Sequence, residues 1–138
     1  MSPPSWRASA TWFSVAFSLE KQQQPLQPDE RTLMQQVLLL FRDRRFALDA
    51  FAVLDDEVQA LLAPAPGEAV GNLVRGWRTA SAFRLHREHA RAGRIWQMET
   101  VQKLRGRSAH AAARQRIAEC PERKWPGLGT YAWAWPSP

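Results

Sequence analysis

Within five positions the chain places four side chains that carry oxygen donors, Asp55, Asp56, Glu57 and Gln59. On a strand, Glu57 and Gln59 point to one face while Val58 and Ala60 point to the other. Oxygen donors suit a hard cation such as Mg²⁺ better than a soft one. A weak Mg²⁺ site at Glu57 and Gln59 is therefore one chemistry open to this segment, and a plain polar strand face is the other. His86 and His89 stand three residues apart, a helical spacing that can bring two imidazoles to one metal. They have no third histidine nearby and lie beside Arg84, Arg87 and Arg91, which favours two exposed polar residues. The three arginines fall along one helical stripe, either a track for phosphates or a solvated face. There is no Gly-rich phosphate loop, no dinucleotide-binding glycine pattern and no Gly-x-Ser-x-Gly elbow. A single cysteine, Cys120, excludes an intrachain disulfide and a cysteine-based zinc site.

Charge is unevenly distributed along the 138 residues. The first 69 carry 6 Lys/Arg against 9 Asp/Glu, and the last 69 carry 13 against 4, so a basic half follows an acidic one. Only three of the 19 basic residues are Lys. The planar guanidinium fork of arginine suits phosphates and base edges, so a polyanion, with nucleic acid foremost, is the expected partner; plain solubility is the alternative. No apolar run approaches the roughly 18 residues of a membrane span. The apolar N-terminal stretch is interrupted by Ser14 and Ser18 and runs into Glu20-Lys21, unlike a signal peptide. A cytoplasmic, nucleoid-associated protein without a membrane partner is expected.

The elements that must position these residues follow from periodicity. Residues 1–9, rich in Pro and Ser, read as a disordered tail. Thr11–Leu19 alternates, with Phe13, Val15, Phe17 and Leu19 on one face, which predicts a half-buried strand. Pro28 and a cap at Gln27 or Asp29 open a helix in which Leu33, Met34, Val37, Leu38 and Phe41 form a stripe, closed by Arg42–Arg45. Phe46–Leu54 predicts a central strand, Asp55-Asp56 a tight turn and Glu57–Leu62 the returning strand of a hairpin. A second helix runs from Glu68 to about Arg91, ended by Gly93. A strand over Arg94–Val101, a basic loop over Lys103–Arg107 and a helix from Ser108 to Glu119, stopped by Pro121, complete residues 10–124. Residues 125–138 form a Trp-rich tail, and no internal repeat is present. This order predicts an α+β domain, a ferredoxin-like antiparallel sheet with helices packed on one face.

Leu54-Asp-Asp-Glu-Val-Gln-Ala-Leu-Leu62 and the following Ala63-Pro-Ala-Pro-Gly67 resemble a segment of the single-tyrosine transposases, especially their REP-associated members. There a hydrophobic strand is followed by Met-Pro-Asp-His-Val-His-Leu-Leu-Leu and a Pro-rich loop. Asn72-Leu-Val-Arg-Gly-Trp-Arg78 resembles that family's Leu-Val-Arg-x-Leu-Lys helix, and Arg94-Ile-Trp-Gln-Met-Glu99 its Val-Trp-Gln-Arg-Glu strand. Arg116-Ile-Ala-Glu-Cys-Pro121 stands where the family has Tyr-Ile-x-x-Asn-Pro, and Tyr131-Ala-Trp133 where it has Tyr-Pro-Trp. These fragments keep their order across residues 10–135.

The resemblance implies the family's transposase fold, recognition of hairpin or single-stranded DNA, and a homodimer. It also implies where the chemistry would have been. The family's two strand histidines bind a divalent metal and its helix tyrosine attacks the phosphodiester. Here those positions hold Glu57, Gln59 and Arg116, and a guanidinium that stays protonated cannot be a nucleophile. The expectation is a transposase-like pseudoenzyme that binds DNA without cleaving it and needs no cofactor, Mg²⁺ at Glu57 and Gln59 being the weaker option. The expected DNA contacts are Arg75, Arg78, Arg84, Arg87, Arg91, Lys103, Arg105, Arg107, Arg114 and Arg116. Trp96, Trp125, Trp133 and Trp135 are candidate base platforms, with core or dimer-interface packing the favoured role for Trp77, Trp96 and at least one of Trp133 and Trp135. Tyr131 as a substitute nucleophile is disfavoured, because its place matches a tyrosine that packs. A protein-interaction scaffold, and metal-dependent nicking by Asp55, Asp56, Glu57 and Gln59, are the competing functions.

Overall fold

A strand buried at every position, Phe46–Val53, organises the centre of the chain. A computed structural model describes residues 3–136; Met1, Ser2, Ser137 and Pro138, the outermost parts of the two expected tails, lie outside the described residues. Strand β1 (Phe13–Ser18) buries Val15 and Phe17 on one face. It pairs antiparallel with β3 (Glu57–Pro64), from Phe13↔Leu62 to Ser18↔Glu57. Strand β2 (Phe46–Val53) returns into β3 through Asp55-Asp56, the expected hairpin, closed by the Leu54 amide on the Glu57 carbonyl. Strands β4 (Thr100–Lys103) and β5 (Ala134–Trp135) complete one antiparallel sheet in the order β4-β1-β3-β2-β5. The first four strands with their two intervening helices make the ferredoxin-like unit, and the Trp-rich tail adds β5 as an edge.

Helix α1 (Pro28–Leu39) is capped reciprocally: Gln27 accepts from the backbone of Glu30, and the Glu30 carboxylate accepts from the Gln27 amide. Its stripe of Leu33, Met34, Val37 and Leu38 is buried with Leu73, Val74, Trp77 and Leu85 of α2 (Val70–His89) against Phe17, Leu48, Val58 and Leu62. Each such side chain contributes about 1.5–3 kcal/mol when removed from water. Helix α3 (Gly106–Lys124) packs on the opposite face, where Ala113, Ile117 and Cys120 meet Ala50, Ala52, Leu61 and Tyr131. The two main helices thus share one face as expected, and the third covers the other.

Several boundaries differ from expectation. The stretch expected to be a disordered tail contains a 3-10 turn at Ser5–Ser9, tied down where Arg7 meets Asp49. Helix α1 ends at Leu39, because Asp43 takes a left-handed φ of 65° and starts the turn into β2; Phe41 is left exposed. Left-handed Ala90, ahead of Gly93, ends α2. The strand expected over Arg94–Val101 is displaced to Thr100–Lys103, which takes in Lys103 of the expected basic loop. Trp96 turns into the core, forming only a bridge to Leu19, and its indole donates to Ser81 Oγ at 2.8 Å. Helix α3 begins at Gly106, whose φ of +83° turns the chain in, and continues through Pro121 to Lys124. The proline ring forgoes one backbone hydrogen bond, but Pro121 is buried and the added turn brings Lys124 to the β2–β3 turn.

Candidate nucleic-acid interface

Strand β3 places Glu57 and Gln59 on the α3 side of the sheet, in line with Leu61, which packs in the α3 core. Gln59 donates its amide hydrogen to the Glu57 carboxylate. From the last turn of α3, the Lys124 ammonium donates to both Asp55 and Asp56. Partial burial pulls the Lys124 pKa down, but hydrogen bonds to the two carboxylates outweigh it and hold the lysine charged. The four oxygen donors therefore face an internal ammonium and one another. Among the described residues no three His, Cys, Asp or Glu side chains converge as metal ligands. The Lys124 ammonium offsets one of the two aspartate charges, and the Gln59 amide engages the Glu57 carboxylate, so these donors are used within the chain.

Cys120 lies beside Glu57. Burial, with the Glu57 charge second, pushes its thiol pKa up, which favours the protonated form. Tyr131 is buried, its hydroxyl donating to the Val53 carbonyl at 2.6 Å, and burial raises its pKa as well. It is a packing tyrosine. Arg116 is exposed on α3 one turn before Cys120. His86 and His89 do not form a pair of ligands; the His86 ring contacts the Gly93 carbonyl at 2.7 Å.

The ten expected DNA-contacting cations separate into two groups on opposite faces. On α2, Arg78 pairs with Glu99 at 3.0 Å and Arg84 with Glu88 at 2.6 Å. Arg91 is almost wholly enclosed, its guanidinium divided between the Glu30 carboxylate (2.8 Å) and the carbonyls of Gln24 (2.7 Å) and Pro25 (3.0 Å). Only Arg75 and Arg87 remain exposed there without an ion pair among the described residues. The stripe of Arg84, Arg87 and Arg91 is thus largely used internally. Lys103, Arg105, Arg107, Arg114 and Arg116, along β4 and the exposed side of α3, are all exposed and form no ion pair among the described residues.

The tryptophans divide in a similar way. Trp77 and Trp96 are core residues, edge-on to Phe46 and Phe17. Trp125 and Trp133 flank Tyr131 beneath the Arg31 guanidinium, which sits 5.0 Å from the Trp133 ring. Trp135 lies beneath Arg42 at 5.0 Å. Sequence reasoning missed Trp12, which faces Arg7 at 4.8 Å and His110 at 4.9 Å. Its place opposite Phe13 in the alternating strand was the available signal, marking it for the α3 face.

A five-stranded antiparallel sheet with two helices on one face and a basic third helix on the other is a transposase fold. The chain is similar to a REP-associated tyrosine transposase bound to a REP hairpin, with a TM-score of 0.71 and 16% identity over 91% of this chain and 75% of that one. It is also similar to a putative transposase from Deinococcus radiodurans R1, with a TM-score of 0.59 and 20% identity over 77% of this chain and 87% of that one. At such identities the likeness is one of fold, and it is the fold that the sequence resemblance implied. No protein-family model and no curated protein matches the chain. No helix among the described residues is long and apolar enough to cross a membrane.

Proposed function

We propose that the chain binds hairpin or single-stranded DNA through the β4–α3 face and does not cleave it. The observation that carries this reading is the row of five exposed cations from Lys103 to Arg116, none of them in an ion pair among the described residues. Unpaired surface cations are the groups that release counterions from a nucleic-acid backbone. The solved transposase bound to a REP hairpin makes a structured nucleic acid the first ligand to test. Arg116, where the resembling family has its nucleophile, supplies a charge suited to holding a phosphate. The same reading includes a homodimer, for which the exposed edge strand Thr100–Lys103 offers unpaired backbone groups.

Labelled hairpin, unstructured and duplex oligonucleotides, titrated by fluorescence anisotropy at low and physiological salt, test the binding. The expected result is a preference for the hairpin or single strand that persists at physiological salt. Arg114→Ala with Arg116→Ala should reduce the salt slope by about two, one per lost phosphate contact. Weak binding, equal for all three and abolished at physiological salt, would overturn the proposal in favour of a protein scaffold.

The absence of cleavage has its own test. With Lys124 on Asp55 and Asp56, single-stranded DNA in Mg²⁺ or Mn²⁺ should show no nicking above that of the Glu57→Ala variant. Metal-dependent nicks abolished by Glu57→Ala would restore the enzymatic reading.

A further inference from the structure

At the end of α3 opposite Lys124 lies an open groove of about 990 Å³, walled by the segment before β1 and by the β4–α3 turn. Its floor is Asp49. Register shifts between Leu48 and Ala50, so the strand bulges at Asp49 and both Asp49 and Ala50 face α3. The carboxylate pairs with Arg7, whose charge offsets its own, and lies 2.7 Å from His110 Nε2. Above it, the Arg7 guanidinium stacks over Trp12, and His110 meets the same indole edge-on. Lys103, Arg105 and Arg107 line the opposite rim, and none forms an ion pair among the described residues. Gly106 and Arg107 of the first turn of α3 also line the opening, and that turn has no side-chain cap and no acidic residue.

We infer that this groove holds an unpaired nucleotide segment, with phosphates on Lys103, Arg105 and Arg107 and a base against the Arg7–Trp12 platform. The inference rests on the DNA-binding reading and goes beyond it, since Arg7, Trp12, Asp49 and His110 belong to none of the expected contacts. The volume exceeds what one phosphate needs. A stacked guanidinium and indole beside a row of phosphate donors suits a base together with its phosphodiesters. Carboxylates of an acidic peptide would have no use for that platform. The groove also lies on the same face as the cations of α3, so one strand can pass from it to Arg114 and Arg116.

The test uses the full chain, a labelled short oligothymidylate and a blunt hairpin with no unpaired nucleotides. Arg105→Ala with Arg107→Ala, both exposed, and separately Trp12→Leu, should each weaken oligothymidylate binding about tenfold or more. For Trp12→Leu, blunt-hairpin affinity should change several-fold less than oligothymidylate affinity, and circular dichroism should confirm that each variant is folded. If the hairpin binds and the oligothymidylate does not, or if oligothymidylate binding ignores both variants, the groove is not a nucleotide site and the DNA-binding reading stands. If oligoglutamate displaces the oligothymidylate at matched charge concentration, the groove recognises charge alone and the inference fails. Failure of the chain to bind either oligonucleotide would overturn both readings.

Discussion

Glu30→Gln is expected to destabilise the protein by about 3 kcal/mol, measured as a shift of the urea midpoint at neutral pH, because it leaves a buried arginine without its counter-charge. Glu30 is 4% exposed and has two tasks. One carboxylate oxygen accepts from the Gln27 amide at 2.9 Å and caps α1, and both oxygens receive the Arg91 guanidinium from the end of α2. The pair thus joins the helices that cover one face of the sheet. Glutamine keeps the shape but presents an amide to a guanidinium that has only backbone carbonyls and Gln23 to fall back on.

The pH dependence follows from the same pair. Burial alone would raise the Glu30 pKa, but the hydrogen bond from Arg91, the Gln27 amide and the Arg91 charge together hold it below 4.5. A carboxylate with a depressed native pKa stabilises above its unfolded value, and that stability is lost as pH falls through the native value. The wild type should therefore lose stability on acidification below about pH 4.5, and Glu30→Gln should lose less of it there. A midpoint shift worth under ~1 kcal/mol would mean the pair contributes no more than a surface ion pair.

Ile117→Ala is expected to free α3. This 19-residue helix buries only Ala113, Ile117, Cys120 and Pro121, and Ile117 is its one large aliphatic anchor against Leu61 and the alanines of β2. Truncating a buried isoleucine costs about 2–5 kcal/mol. Here the loss falls on the largest aliphatic side chain that the helix buries against the sheet. Hydrogen exchange should show α3 amides losing protection while α1 and α2 amides keep theirs. DNA affinity should fall in step, because Arg107, Arg114 and Arg116 are carried by that helix. Undiminished protection of α3 would show that the Lys124 pairs and the tail beside Tyr131 hold it instead.

The elements that came directly from sequence are those governed by short-range geometry. Phe13–Leu19 alternates because a strand turns successive side chains to opposite faces. Leu33, Met34, Val37 and Leu38 repeat at helical spacing, and Phe46–Leu62 reads as a hairpin around two aspartates. These patterns, together with fragments resembling a transposase, were enough for the fold and for the positions of Glu57, Gln59 and Arg116. Pro121 misled, because a proline's local preference against continuing a helix was overridden by burial and by the reach of Lys124 to the aspartates.

Tertiary structure decided which charges remain available. Arg84, Arg87 and Arg91 look alike as a stripe, yet Arg91 meets Glu30 across 61 residues of chain and is consumed by it. Arg7 meets Asp49 across 42 residues, through a bulge that no periodicity announces. Pairing of this kind depends on which distant segments the sheet brings together. Sequence alone determined that the chain is basic in its second half and folds as a transposase-like α+β sheet. The tertiary structure decided that five of the seven expected DNA-contacting cations left without an ion pair among the described residues lie along β4 and α3, and that a groove opens at the far end of that helix. The physical reason is that periodicity is written in neighbouring residues, whereas the neutralisation of a charge depends on partners that only the folded chain brings near.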